Sequence, residues 1–184
     1  MKKLQSLVIM LLGFVLFSGC KKDPVVDPNE NELITTVRIS LLDKTGGSTT
    51  PLVFEFKDLD GEGGAAPSKF DEIVLTKGKT YDCSLTVLNE SVSPADDITK
   101  EILAEAVDHQ FYYSASDGLV TVSNLNNDSK GLPLGTTATW TTGTLTGSGT
   151  FRLTLKHKPG IKAAGDLVTV GDTDIALDFK LKVQ

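Results

Sequence analysis

The segment IALDFKLKV, residues 175–183, decides the fold class, because large apolar side chains occupy every second position along it. A second segment, FRLTLKH at residues 151–157, repeats the alternation and ends just before Pro159 and Gly160. A period of two residues is typical of a β-strand with one face buried and the other in solvent. Both segments are therefore predicted to be strands that turn one face towards a core.

Outward from these two segments, the same pattern recurs between turns that are rich in Gly, Asn and Asp. One stretch differs: Ser93-Pro94 is typical of a helix start, and apolar residues then recur at helical spacing to about Asp108. It predicts one amphipathic helix of about three to four turns. Roughly eight or nine strands with one inserted helix favour a mainly β fold over residues 33–184, an antiparallel β-sandwich that is immunoglobulin-like or related. The predicted strands are residues 35–41, 52–56, 73–75, 81–87, 111–113, 119–122, 136–142, 151–157 and 175–183.

Residues 1–19 have the layout of a bacterial lipoprotein signal peptide. Two lysines precede the apolar run 7–17, and two small residues separate that run from Cys20. The run is too short to span a bilayer as a helix, so we expect cleavage before Cys20 and attachment of a lipid to its thiol. Residues 20–32 contain two prolines, an acidic bias and no periodicity, which predicts a flexible tether between the lipid and the domain.

The mature chain is acidic, and we expect it to form no intramolecular disulfide. It carries 16 basic residues against 24 acidic ones, because two of the 18 Lys and Arg lie in the signal peptide, and its net charge is −8. That charge argues against nucleic acid as a partner, so the expected membrane contact is the lipid on Cys20. Cys83 is then the one remaining thiol, and its shared parity with Tyr81 and Leu85 predicts that it is buried.

Several motifs taken together resemble a group of small lipoproteins from Bacteroidota-type bacteria. They are DLDGEGG at residues 58–64, LNES at 88–91, TWTTG at 139–143 and LKHKPG at 155–160. The charged start at residues 21–23 is similar to the segment that follows the lipidated Cys in lipoproteins exported to the cell surface. The resemblance implies an envelope location and a similar architecture, and it implies no activity.

The acidic motif is a candidate calcium loop. Asp58, Asp60 and Glu62 occupy positions 1, 3 and 5, and Gly63 stands at position 6, where a calcium loop needs a sharp turn. Position 12 is Lys69, whereas a calcium loop closes with a bidentate Glu. The alternative interpretation is an acidic, Gly-rich turn between two strands.

The two histidines form the second candidate site. His109 follows the predicted helix, four residues after Glu105, and His157 ends a predicted strand at inward parity. Two imidazoles and a carboxylate suit zinc or copper, so we predict that the three residues meet at one end of the sandwich and bind such an ion. The alternative is that each histidine is satisfied locally, one at the negative end of the helix dipole and one by backbone groups.

No motif in the sequence predicts catalysis. It contains no G-x-S-x-G, H-E-x-x-H or phosphate-binding loop, so we predict that the protein is not an enzyme. The expected function is that of a lipid-anchored binding or accessory protein of the outer membrane, on its periplasmic side or at the cell surface. An outer-membrane uptake receptor is the expected partner, since such lipoproteins often serve one. The alternatives are a divalent-metal-binding lipoprotein and a purely structural surface protein.

Overall fold

The computed structural model describes residues 33–61 and 63–184. The predicted signal peptide at 1–19, the tether at 20–32 with Cys20, and Glu62 of the acidic motif lie outside the described residues. Within the described part of the chain, no helix combines the length and the apolar character needed to cross a membrane.

The described residues form ten strands, one short α-helix and a single 3-10 turn at Ser116–Gly118. Period-two alternation accounts for the longer strands, because each places one row of apolar side chains on the core. The short strand β3 lacks that signal and escapes sequence prediction. The elements are β1 (Thr36–Asp43), β2 (Leu52–Lys57), β3 (Lys69–Phe70), β4 (Ile73–Leu75), β5 (Thr80–Leu88), α1 (Ile98–Ala104), β6 (His109–Ala115), β7 (Val120–Ser123), β8 (Thr137–Thr142), β9 (Gly147–His157) and β10 (Asp172–Val183).

The strands are arranged in two sheets, which confirms the predicted mainly β fold and is consistent with a β-sandwich. One sheet has the order β3-β2-β1-β5-β8-β7, and the other has the order β4-β10-β9-β6. Neighbouring strands are antiparallel except β4 and β10, which pair in parallel. Strands β5 and β10 alternate between buried and more exposed residues over most of their length, and the apolar rows of both sheets supply the core.

Aromatic side chains from the two sheets meet in the core. Trp140 on β8 is fully buried and stacks on Phe151 of β9, with the ring centroids 4.1 Å apart. Cys83 on β5 is buried, as strand parity predicts, and this burial raises the pKa of its thiol to about 12. The thiol therefore stays protonated at neutral pH, which disfavours the free thiolate that nucleophilic attack requires.

The helix is shorter than the sequence predicts: α1 spans only Ile98–Ala104, about two turns. It cannot begin at Pro94, because Asp96 pairs through both backbone groups with Asn89 at N···O distances of 3.0 Å and is held extended. It cannot reach Asp108, because the chain must turn before entering β6. The buried side chains Ile98 and Ile102 attach this face of α1 to the core.

A charged network covers the outer face of the six-stranded sheet, and we refer to it as the Glu90 network. Glu90 follows β5, accepts hydrogen bonds from Lys57 and Thr36 at 2.8 Å each, and pairs with Arg38 at 3.0 Å. Arg38 also contacts Glu55. The bonds from Lys57 and Thr36, with that from Arg38, outweigh the effect of burial and lower the pKa of Glu90 to about 2.

Buried lysines attach the chain between β9 and β10 to the rest of the domain. Lys158, immediately after β9, is fully buried and donates hydrogen bonds to Gln110 at 3.0 Å and to the hydroxyl of Tyr112, both on β6. Lys162 reaches the carboxylate of Asp128 at 2.8 Å. These contacts hold the ends of β6 and β9 together, and both histidines lie at those ends.

Candidate metal centre

The strand register places the two histidines side by side. His109 is the first residue of β6, His157 is the last of β9, and the two are direct partners in the antiparallel ladder. Their rings stack with centroids 4.6 Å apart and an interplanar angle of 13°. The next inward pair along the ladder is Phe111 with Leu155, both fully buried, so the imidazoles lie at the rim of the core.

The end of α1 supplies a hydrogen bond that orients one of the rings. The backbone carbonyl of Glu105, the residue that caps the helix, lies 3.1 Å from Nδ1 of His109. A carbonyl oxygen can only accept, so Nδ1 carries the proton in the neutral ring and Nε2 keeps its lone pair. A backbone carbonyl on one ring nitrogen is the usual means of fixing a histidine that binds a metal through the other.

The Glu105 side chain brings a carboxylate to the same place. One ligand atom each from Glu105, His109 and His157 can be chosen so that all three lie within 4.8 Å of one another. Zinc holds nitrogen and carboxylate oxygen at about 2.0–2.2 Å, so two ligands on one ion lie at most about 4.4 Å apart. Glu105 is exposed and His109 is buried, so the group runs from the surface to the core.

Burial keeps His109 in the form that binds metals. Burial of the ring lowers the pKa of His109, and the neighbouring His157 lowers it further, while the Glu105 carbonyl, Glu105 and Asp108 oppose both effects. The net decrease favours the neutral imidazole at pH 7. Metal binding to a histidine requires that neutral form, so no proton must be removed from this ring before an ion enters.

Asp174 is a fourth member of this region, and sequence periodicity does not predict it. Alternation through β10 places it with Ala176 and Asp178 on the outer face, but the register with β9 shifts between Thr173 and Ile175. Asp174 is the extra residue of this β-bulge, and its side chain is only 9% exposed. Its Oδ2 lies 4.0 Å from Nε2 of His109 and has no hydrogen-bond partner within the described region.

The environment of Asp174 disfavours a free carboxylate. Burial raises its pKa to about 6, and the charge of Asp172 adds to this increase. His157 and Lys156 lower the pKa of Asp174 without cancelling this increase. A positive charge placed between Asp174 and the imidazoles would stabilise the ionised form.

The predicted calcium loop is described only in part, because Glu62 lies outside the described residues. Asp58 is buried and its Oδ1 has no partner among the residues that the structure describes, while Asp60 accepts a hydrogen bond from the amide of Ala65 at 2.7 Å. Burial raises the pKa of Asp58, as does the adjacent Asp60. Lys69, at position 12, belongs to β3. Calcium binding by this loop stays a prediction.

Comparison with known proteins adds no relative: no protein-family model matches the chain, and no curated protein or solved structure is significantly similar to it.

Proposed function

We propose that this domain binds a divalent transition metal ion, zinc or copper(II), through His109, His157 and Glu105. The observation that carries the proposal is the convergence of two imidazoles and one carboxylate, with one donor atom of each within 4.8 Å of the others. Imidazole nitrogen suits zinc and copper, whereas calcium and magnesium prefer sites made wholly of oxygen ligands. The one thiol of the described domain, Cys83, is buried on β5 in the other sheet, so this is a nitrogen and oxygen site.

The position of the site favours exchange of the ion. Glu105 is exposed and His157 is half-buried, so an ion can enter from solvent at the end of α1. Buried apolar residues of both sheets form the core of the domain, and the site lies at the rim of that core and not within it. An exchangeable ion suits a protein that captures the metal and passes it on.

A titration tests the proposal directly. The Cys20→Ala chain, which cannot be lipidated, is titrated with zinc in competition with a chromophoric chelator. We expect one ion per chain, weaker binding below about pH 6 as the imidazoles protonate, and loss of binding in the His109→Ala, His157→Ala double variant. Asp178→Asn, on the outer face of β10, serves as the control and should bind as the parent does. Equal zinc affinity in the double variant and the parent would contradict the proposal.

We further propose that the mature protein is held at the outer membrane by a lipid on Cys20. The support is the sequence of residues 1–20, in which two lysines, an apolar run and small residues precede the Cys. Several acyl chains on one residue bind far more firmly than a single chain, which anchors only marginally. Cell fractionation is the test: the parent should be in the membrane fraction, and a Cys20→Ala protein that remains equally membrane-bound would refute lipidation.

An anchored ion-binding domain suits an accessory role beside an outer-membrane uptake receptor. The tether at residues 20–32 would let the domain reach a partner while its lipid stays in the membrane. The measurement is metal uptake by cells that lack the protein, restored with either the parent or the histidine double variant. We expect the parent alone to restore uptake when zinc or copper is scarce. If the histidine double variant restores uptake equally well, the accessory role does not depend on metal binding by this site.

A further inference from the structure

Burial of Asp174 destabilises the fold, and no described contact of its Oδ2 compensates for this. Its Oδ2 is buried and accepts no hydrogen bond from the described residues, although a buried carboxylate oxygen normally has a partner. The β-bulge that turns it inward also interrupts the ladder between β9 and β10. Bulges recur next to functional sites, where they redirect a side chain.

The position of the Asp174 side chain indicates which site it belongs to. Oδ2 lies 4.0 Å from Nε2 of His109, which is too far for a hydrogen bond. Two ligands of one tetrahedral zinc ion, each about 2.0–2.2 Å from the metal, lie about 3.3–3.6 Å apart, so a movement of about half an ångström would let Oδ2 and Nε2 share an ion. The proton on Nδ1 of His109 is held by the Glu105 carbonyl, so Nε2, the ring nitrogen nearer to Asp174 in this contact, keeps its lone pair for a metal.

We infer that Asp174 is the inner carboxylate ligand of the metal site, so that the ion lies between β6, β9 and β10 with Glu105 at its outer side. The inference rests on the proposed function, because it assigns a fourth ligand to the same ion. The resulting set of two imidazoles and two carboxylates suits a four-coordinate zinc ion held below the surface. It contains no sulfur, so it disfavours copper(I), which prefers thiolate and thioether ligands.

The experiment compares two variants of one strand. Asp174→Asn removes the inner carboxylate while keeping its shape, and Asp178→Asn removes the same charge from an exposed residue of β10 that pairs with Arg152. Zinc affinity is measured by chelator competition, and melting temperature is measured in EDTA and again with saturating zinc. We expect Asp174→Asn to weaken zinc binding at least about tenfold, and Asp178→Asn to change it less than about threefold.

The melting temperatures separate a ligand from a structural residue. Without metal, Asp174→Asn should melt at or above the parent, because it removes a buried charge that has no partner. With zinc the order should reverse, because the parent gains more from the ion. Cobalt(II) gives a second readout: the intense visible absorption of a four-coordinate site should weaken in Asp174→Asn.

The possible failures are distinguishable. If the parent binds no zinc, the proposed function and this inference fall together. If the parent binds zinc, the histidine double variant does not, and Asp174→Asn binds as the parent does, the function stands and the assignment of Asp174 is refuted. A lower melting temperature of Asp174→Asn in EDTA would also refute it, because the carboxylate would then stabilise the metal-free fold.

Discussion

The ion pair between Lys162 and Asp128 should be among the largest single contributions of a polar contact to stability. The Nζ–Oδ2 distance is 2.8 Å, and the two side chains are 1% and 0% exposed. Lys162 also donates to the carbonyl of Ala106 at 2.8 Å, while Asp128 accepts from the amides of Lys130 and Leu132. Burial favours the neutral carboxyl, but these bonds outweigh it and lower the pKa of Asp128.

Replacing Asp128 with Asn leaves the Lys162 ammonium buried with one neutral acceptor. Breaking a buried pair from one side typically costs about 3–5 kcal/mol, because the remaining charge stays desolvated. At about 2–4 °C per kcal/mol for a domain of this size, the melting temperature should fall by roughly 6–20 °C. The matched control is Asp82→Asn, since Asp82 pairs with Lys44 at 3.1 Å but both side chains are half-exposed. Its cost should be about 0.2–1 kcal/mol.

Urea unfolding measures both variants through the single Trp. Trp140 is fully buried in the core, so its fluorescence reports loss of the whole sandwich and not of one loop. Equal slopes for parent and variants would allow the midpoints to be compared as free energies of unfolding. If Asp128→Asn costs less than about 1 kcal/mol, or no more than Asp82→Asn, burial does not determine the strength of these pairs and the reasoning fails.

Three further predictions concern acid stability, thiol reactivity and calcium. The Glu90 network should stabilise the domain fully above about pH 4.5 and lose that contribution as pH falls towards about 2, because the pKa of Glu90 is depressed on folding. The free energy of unfolding should therefore depend less steeply on pH in Glu90→Gln, and the same pH dependence as in the parent would contradict this. In the Cys20→Ala chain, Cys83 should react with a thiol reagent only after denaturation, and equal rates in both states would contradict its burial. Calcium should raise the melting temperature with a dissociation constant of about 10⁻⁴–10⁻³ M, and an increase that survives in the Asp58→Ala, Asp60→Ala variant would place the ion elsewhere.

The fold class can be predicted from the sequence, because a half-buried strand requires an apolar side chain at every second residue. Large apolar side chains occupy every second position of residues 175–183, and those from Leu177 onwards are all buried. The same rule placed Cys83 in the core. The helix was predicted too long, because the apolar spacing after Ser93 could not reveal that Asp96 pairs with Asn89 and stays extended.

The sequence by itself determined the alternating strands, the acidic charge, and that both histidines stand at the ends of elements. Tertiary structure alone decided that the rings stack, because the register of β6 against β9 is set by many core contacts between distant segments. It alone placed Asp174 beside His109, because one extra residue in β10 reverses the face of a side chain and leaves the surrounding alternation intact. The proposed metal site, built from three strands and a helix end, depends on this long-range pairing, which periodicity along one segment does not encode.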